Sequence, residues 1–136
     1  MLNIKSYILG GKSTFTLKSA RTGAHLTFKV RQPKPDAPHF VSVMTGTDDE
    51  SSYTFLGTVF NGADYRHGRN SRIGTDAPSA KAFEWLWRNV TANGTVPADG
   101  AELLPSGKCC RCGRTLTTPE SIAAGIGPEC AGRLGL

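Results

Sequence analysis

Apolar and polar residues alternate along most of the first half of the chain, as they do in strands with one buried face. In residues 13–19 (STFTLKS) and 25–31 (HLTFKVR) the apolar side chains fall on every second position. The intervening ARTG segment contains Gly23, which can adopt the positive φ of a tight turn. The two segments therefore predict a β-hairpin.

Two or three further strands follow the hairpin. Residues 40–44 (FVSVM) and 53–60 (YTFLGTVF) are rich in β-branched and aromatic side chains, and residues 63–67 can form one more short strand. The proline-rich QPKPDAP and the acidic TGTDDESS interrupt the pattern and predict loops. We expect a small, mainly antiparallel β-sheet of four to five strands.

The period of the apolar residues changes to a helical one in residues 76–90 (DAPSAKAFEWLWRNV). The predicted buried face consists of Ala80, Phe83, Leu86, Trp87 and Val90. Pro78 suits a first turn and Gly94 a helix end. One helix covering the sheet gives a two-layer α+β fold. Trp85 lies off the apolar face, either half-buried at a domain junction or exposed to a partner.

Residues 93–107 lack periodicity and contain many small residues, glycines and prolines, so they predict a linker. It would join an α+β sheet domain (1–92) to a C-terminal module (108–136). No apolar run approaches the roughly 18–20 residues of a membrane span, and the N-terminus is too weakly apolar for a secretory signal. We therefore expect a cytoplasmic protein without a membrane partner.

All four cysteines lie in residues 108–130 (KCCRCGRTLTTPESIAAGIGPEC). Cys109 and Cys112 form a Cys-x-x-Cys pair followed by Gly113, a spacing at which two thiolates can reach one tetrahedral metal. Cys130 follows a Gly-Pro break that would place it near a helix N-terminus, where a thiolate is favoured. We predict a zinc-knuckle module held by Cys109, Cys112 and Cys130. A redox pair, a disulfide and an iron–sulfur cluster are the competing interpretations.

The sequence does not identify the fourth zinc ligand. Cys110 adjoins Cys109, and adjacent residues seldom share a tetrahedral site without strain. The other candidates are water, Glu102, Glu129, His25, His39 and His67. An open position would suggest catalysis, but no paired carboxylate or His-Glu motif accompanies the cysteines. We therefore expect a structural zinc and no enzymatic activity.

The segment CCRCGRTLTTPESIAAGIGPEC resembles a short tail domain of unknown function, considered zinc-binding, at the C-termini of bacteriophage and prophage proteins. The shared pattern is Cys-x-x-Cys-Gly-Arg, Leu-Thr, Pro-Glu-Ser and Gly-Ile-Gly-Pro-x-Cys. The resemblance extends more loosely to the domain that often precedes this tail in phage proteins. The segments that carry it are FTLKSARTGAHLTFKV, FVSVMTG and YTFLG. The relatives often carry a histidine shortly before the first cysteine, where this chain has AELLPSGK. The resemblance implies a phage-encoded accessory protein and implies no reaction.

Charge is unevenly distributed along the chain, whose net charge is +5. Residues 1–35 contain seven Lys and Arg and no acid, whereas residues 36–64 contain five acids and no Lys or Arg. DYRHGRNSR then concentrates three arginines. Such a distribution of positive charge can attract polyanions. The same composition is also compatible with strand faces whose opposite charges pair across a sheet.

SYILGGKST ends like a phosphate-binding loop but has Ser6 where the first glycine belongs, so it predicts no nucleotide hydrolysis and no small-molecule substrate. We expect instead a non-enzymatic, zinc-stabilised accessory protein that binds DNA or RNA through a basic face. The expected contact residues are Lys29, Arg31, Tyr65, Arg66, Arg69, Arg72 and Trp85, with the two aromatic rings stacking on bases.

Two other functions compete with nucleic-acid binding. The first is a protein–protein inhibitor that a phage directs at a host nucleic-acid-targeting defence enzyme. The second is a metalloenzyme whose zinc is held by three cysteines and a water.

Overall fold

The computed structural model describes residues 3–45, 52–116, 122 and 125–127. Its elements are, in chain order, α1 (Ile4–Ile8), β1 (Lys12–Ser19), β2 (His25–Arg31), β3 (His39–Met44), β4 (Tyr53–Phe60), β5 (Asp64–His67), α2 (Pro78–Asn93) and β6 (Ala101–Pro105). The fold is α+β, as expected. None of these helices has the length and apolar character needed to cross a bilayer.

All six strands form one antiparallel sheet in the order β5-β4-β3-β2-β1-β6. Each of the first four strands pairs with the next one along the chain, and β6 pairs with β1 at the opposite edge from β5. Gly23 has a φ of 75° in the turn between β1 and β2, which confirms the predicted hairpin. The sheet therefore has one strand more than the four to five expected.

The extra strand, β6, lies within the predicted linker. Ala101–Pro105 pairs with β1, so that Ala101 lies opposite Ser19 and Pro105 opposite Phe15. A five-residue segment with two consecutive leucines and a terminal proline shows no clear alternation, and its pairing depends on the free edge of β1. The linker prediction is therefore wrong for residues 101–105.

Helix α2 covers one face of the sheet with the residues that the helical period predicted. Ala80, Phe83, Leu86, Trp87 and Val90 are all buried. Phe83 contacts the sheet through Phe28, with 5.4 Å between the ring centroids. Pro78 occupies the first turn, and Gly94 ends the helix with a φ of 74°. Helix α1 adds Tyr7 and Ile8 to the same core.

Candidate nucleic-acid interface and cysteine turn

The sheet has a second face, which points away from α2 and is here called the open face. Along β2, Phe28 and Val30 are buried toward α2, so the alternating Lys29 and Arg31 point the other way. Residues paired across neighbouring strands share a face. One register row of this face crosses five strands: Lys12, Arg31, Phe40, Thr58 and Arg66. Four strand spacings of about 4.8 Å give this row a length of about 19 Å.

Aromatic rings accompany the cations on the open face. The register places Phe40, Tyr53, Phe55 and Phe60 there. Phe40 and Phe60 keep 38% and 40% of their surface exposed. Phe60 lies two residues beyond Thr58, which is the cross-strand partner of Phe40, so the two rings are diagonal neighbours. Two exposed phenyl rings therefore lie on the two central strands β3 and β4, Phe40 within the row and Phe60 diagonal to it.

The cations on this face are positioned by defined contacts. Arg31 donates hydrogen bonds to the carbonyl oxygen of Ser13 and, at 3.0 Å, to Thr14 Oγ1, both on β1. The Lys29 ammonium lies 4.2 Å from the centroid of the Tyr53 ring. Burial, followed by the charge of Arg31, lowers the pKa of Lys29. The Arg66 guanidinium lies 5.9 Å from the Phe60 centroid, and this side chain is exposed.

The charge of the open face is positive across its centre. Its described cations are Lys12, Lys18, Lys29, Arg31 and Arg66. Its described acids lie on the two edge strands: Asp64 on β5 and Glu102 on β6, the latter paired with Lys18. The central strands therefore present cations and aromatic rings together.

Two predicted contact residues, Tyr65 and Trp85, lie on the other side of the sheet. Tyr65 pairs with the buried Val59 and packs on Phe83, with 4.7 Å between ring centroids. Trp85 is half-buried on α2 against Gly100. Neither ring shares a face with Arg66, so the expected stacking on bases is not supported for either residue.

Strand alternation in the sequence indicates which aromatic residues share a face with the cations. Alternation along β5 separates Tyr65 from Arg66, and alternation along β3 separates Phe40 from Val41. The sequence-based prediction grouped Tyr65 with Arg66 because they are adjacent in the chain, whereas the two side chains lie on opposite faces of β5.

The other two predicted arginines lie in the loop after β5. Arg69 and Arg72 are exposed. Arg72 borders a hollow of about 240 Å³ that is also lined by Tyr53 and Phe55. Arg72 therefore lies close to aromatic residues of the open face, and Arg69 lies three residues away along the chain.

Residues 108–115 form a tight turn, here called the cysteine turn. Lys108 and Thr115 form a β-bridge at its base, and the Gly113 amide donates to the Cys109 carbonyl at 2.9 Å. Gly113 has a φ of 81°, which glycine adopts without steric cost. This is the glycine that the sequence predicted to follow a metal-binding Cys-x-x-Cys pair.

The Cys109 thiol is buried at the centre of this turn. Burial alone would raise its pKa, but hydrogen bonds from the backbone amides of Gly127, Cys112 and Arg111 and from the Cys112 thiol lower the pKa to about 7. Amide donors around a thiolate are also what a metal-bound cysteine requires. Cys109 and Cys112 therefore fit a metal such as zinc.

The predicted third ligand, Cys130, lies outside the described residues, as does Glu129. A Cβ atom added to Gly127 would lie 3.9 Å from Cys109 Sγ, so Gly127 lies beside Cys109. Within residues 3–45, 52–116, 122 and 125–127, no three His, Cys, Asp or Glu side chains converge on a metal position.

The candidate fourth ligands within the described ranges are engaged or placed elsewhere. His39 Nε2 lies 3.0 Å from the Leu9 carbonyl oxygen, and His67 Nε2 lies 2.7 Å from that of Ile73. His25 and Glu102 are exposed on β2 and β6. Cys110 is buried against Gly10.

Comparison with known proteins gives one match. Residues 100–135 match DUF6011, a family of unknown function. No curated protein and no solved structure matches the chain. The matched range begins at β6 and includes the cysteine turn, so this chain is similar to an uncharacterised family over its last strand and its cysteine-rich tail.

Proposed function

We propose that this protein binds nucleic acid through the open face of its sheet. In this proposal it is a non-enzymatic accessory protein of phage type that acts in the cytoplasm of a bacterial host, and zinc stabilises its tail. The observation that carries the proposal is the register row in which Lys12, Arg31 and Arg66 accompany Phe40.

The row favours a polyanion over pairing of opposite charges within the sheet. Lys12 and Arg31 lie opposite each other, Arg31 lies opposite Phe40, and Arg66 lies opposite Thr58. Their registered neighbours are thus cationic, aromatic or neutral, and phosphates can supply the compensating negative charge. Contacts of Lys and Arg with phosphates give affinity that depends little on sequence and strongly on salt.

Zinc binding is the second part of the proposal. Cys109 and Cys112 would hold the metal together with Cys130, and the amides around the Cys109 sulfur support it as a thiolate. A structural zinc would supply folding free energy to the tail. Metal analysis of the purified protein tests this part, and an absence of zinc from protein purified without chelators would contradict it.

The binding test is a titration against single- and double-stranded DNA and RNA at two salt concentrations. Arg66→Ala is the informative variant because Arg66 is an exposed residue of the row. Arg88→Ala is its matched control, since Arg88 is exposed on α2 and pairs with Glu84 one turn away at 3.3 Å. We expect Arg66→Ala to weaken binding and to reduce by about one the slope of the logarithm of the binding constant against the logarithm of the salt concentration. Arg88→Ala should change neither quantity. The proposal would be refuted if the protein did not bind at low salt, or if its affinity did not depend on the salt concentration.

The alternative function, inhibition of a host nucleic-acid-targeting enzyme, is favoured by a different surface. A groove of about 460 Å³ lies between the β1–β2 hairpin and α2, with Leu17, Leu26 and Trp85 in its lining and Arg21 and Lys81 beside them. This chemistry suits a protein segment with an apolar side chain next to acids. Pull-down from nuclease-treated host lysate tests it: retention of one stoichiometric protein that Trp85→Ala abolishes would favour the inhibitor.

A further inference from the structure

We infer that the nucleic acid bound by the open face is single-stranded, with bases stacked on Phe40 and Phe60. This inference rests on the proposed function and specifies its ligand. It follows from the shape of the face, the exposure of the two rings and the cation beside each ring.

The shape of the open face is incompatible with reading a duplex groove. Six strands at about 4.8 Å spacing make a surface about 24 Å wide. The major groove of B-DNA is about 12 Å wide and admits a helix or a two-stranded ribbon. A duplex would therefore touch this face only with its phosphates, and its bases would remain stacked on one another.

The two exposed rings give single-stranded bases a surface on which to stack. Phe40 and Phe60 are diagonal neighbours on β3 and β4, and the residues beside them, Val41 and Val59, are buried in the core. The backbone beneath the rings is thus held by the packed layer behind it. Aromatic rings on a rigid sheet accept any unpaired base, because every base has a flat face.

Each ring has a cation placed to meet a phosphate. Arg31 lies beside Phe40 in the register, and the Arg66 guanidinium lies 5.9 Å from the Phe60 centroid. Arg31 is on the β2 side and Arg66 on the β5 side, so the cations flank the ring pair from opposite directions. A strand crossing the sheet from β5 to β2 would thus contact a cation, two rings and a second cation in turn.

A second copy of this chain is a less suitable occupant of the same face. An isologous contact through Phe40 and Phe60 would enclose Arg31 and Arg66 of both copies with one acid per copy, Asp64 opposite Phe60, and this excess of positive charge opposes association. An anionic occupant has the complementary charge.

The experiment compares three ligands of equal length in an anisotropy titration with the full chain: oligo-dT of about twelve nucleotides, an abasic oligomer with the same backbone, and a duplex. We expect the oligo-dT to bind most tightly. Phe40→Ala and Phe60→Ala should each weaken its binding by about five- to a hundredfold, with little effect on the abasic oligomer. Phe40→Leu, which keeps apolar volume without the ring, should behave like Phe40→Ala, whereas Phe40→Trp should retain binding.

The outcomes separate this inference from the function on which it rests. Equal, salt-dependent binding of all three ligands, unaffected by the Phe variants, would overturn the stacking inference and leave nucleic-acid binding in place. Absence of binding to any ligand would refute both. A dimer in sedimentation that Phe40→Ala dissociates would overturn the inference in favour of a second copy.

Discussion

Gly10 lies directly against Cys110: a Cβ atom added to Gly10 would be 2.6 Å from the Cys110 sulfur and 2.7 Å from its carbonyl oxygen. That carbonyl also accepts a hydrogen bond from the Lys12 amide at 2.7 Å, and Cys110 is only 3% exposed. The beginning of the cysteine-rich tail is thus packed onto the start of β1.

This packing brings cations of the cysteine turn close to Lys12, which is one end of the register row. A Cβ atom on Gly113 would lie 3.6 Å from the Lys12 side chain, and Arg111 and Arg114 are exposed on the same cysteine turn. In the proposed function, a strand that crosses the open face toward Lys12 would therefore reach further cations on the turn.

Gly10→Ala should lower the free energy of unfolding by about 1–3 kcal/mol, because overpacking displaces neighbouring atoms. The obstacle is lack of space, since the nearest atoms include Cys110 backbone. Gly74→Ala is the control: its Cβ would meet only the carboxylate end of the exposed Asp76 side chain, at 2.8 Å, which can move. Urea unfolding measures both variants, and equal stabilities would contradict the packing described for Gly10.

Cys110→Ser should reduce stability and leave zinc binding intact, whereas Cys112→Ser should remove zinc and leave the stability of the sheet domain intact. Cys110 is buried against the sheet domain, so a serine hydroxyl there should reduce stability by about 1–3 kcal/mol while bound zinc is unchanged. Cys112 is exposed beside Cys109, so its replacement should remove zinc and affect the sheet domain little. Zinc content and urea unfolding of the two variants are the measurements. Equal zinc loss in both would mean that Cys110 is a ligand rather than a packing residue.

Arg31→Ala should reduce both stability and nucleic-acid binding, whereas Arg66→Ala should reduce binding alone. Arg31 donates to Ser13 and Thr14 on β1, and loss of these bonds should cost about 1–2 kcal/mol of stability. Arg66 is exposed on the edge strand β5. Urea unfolding alongside the binding titration separates the two effects. An unchanged stability of Arg31→Ala would show that its hydrogen bonds to β1 contribute nothing.

The alternating pattern of the first half of the chain was sufficient to predict five of the six strands, and the helical period gave the buried face of α2. These signals are local, because the alternation or helical period that separates buried from exposed side chains can be read within each segment by itself. Strand β6 was missed because its partner is β1, more than eighty residues earlier in the chain. Its pairing cannot be deduced from five residues with weak alternation.

The candidate site was predictable only in part, because some of its residues depend on local strand patterns and others on long-range packing. Lys29, Arg31 and Arg66 were expected to act together, and the sheet brings them to one face. Strand alternation separates Phe40 and Phe60 from the buried Val41 and Val59, but which of the two faces stays exposed depends on the side that α2 covers. The Cys-x-x-Cys-Gly pattern predicted the cysteine turn, whereas the proximity of Gly127 to Cys109 depends on the path of the intervening chain.

Tyr65→Phe should leave stability at neutral pH unchanged or slightly higher, because the Tyr65 hydroxyl is buried without a hydrogen-bond partner among the described residues. Burial, followed by the charge of Glu84, raises its pKa to about 12. The unfolded phenol deprotonates near pH 10, so rising pH favours the unfolded state between about pH 10 and 12, and Tyr65→Phe should lose less stability there. Tyr7→Phe is the control: the Tyr7 hydroxyl donates to the Thr14 carbonyl at 2.7 Å, so this variant should lose about 1 kcal/mol at neutral pH. Urea unfolding from pH 7 to alkaline pH tests both, and identical profiles for Tyr65→Phe and wild type would contradict the raised pKa.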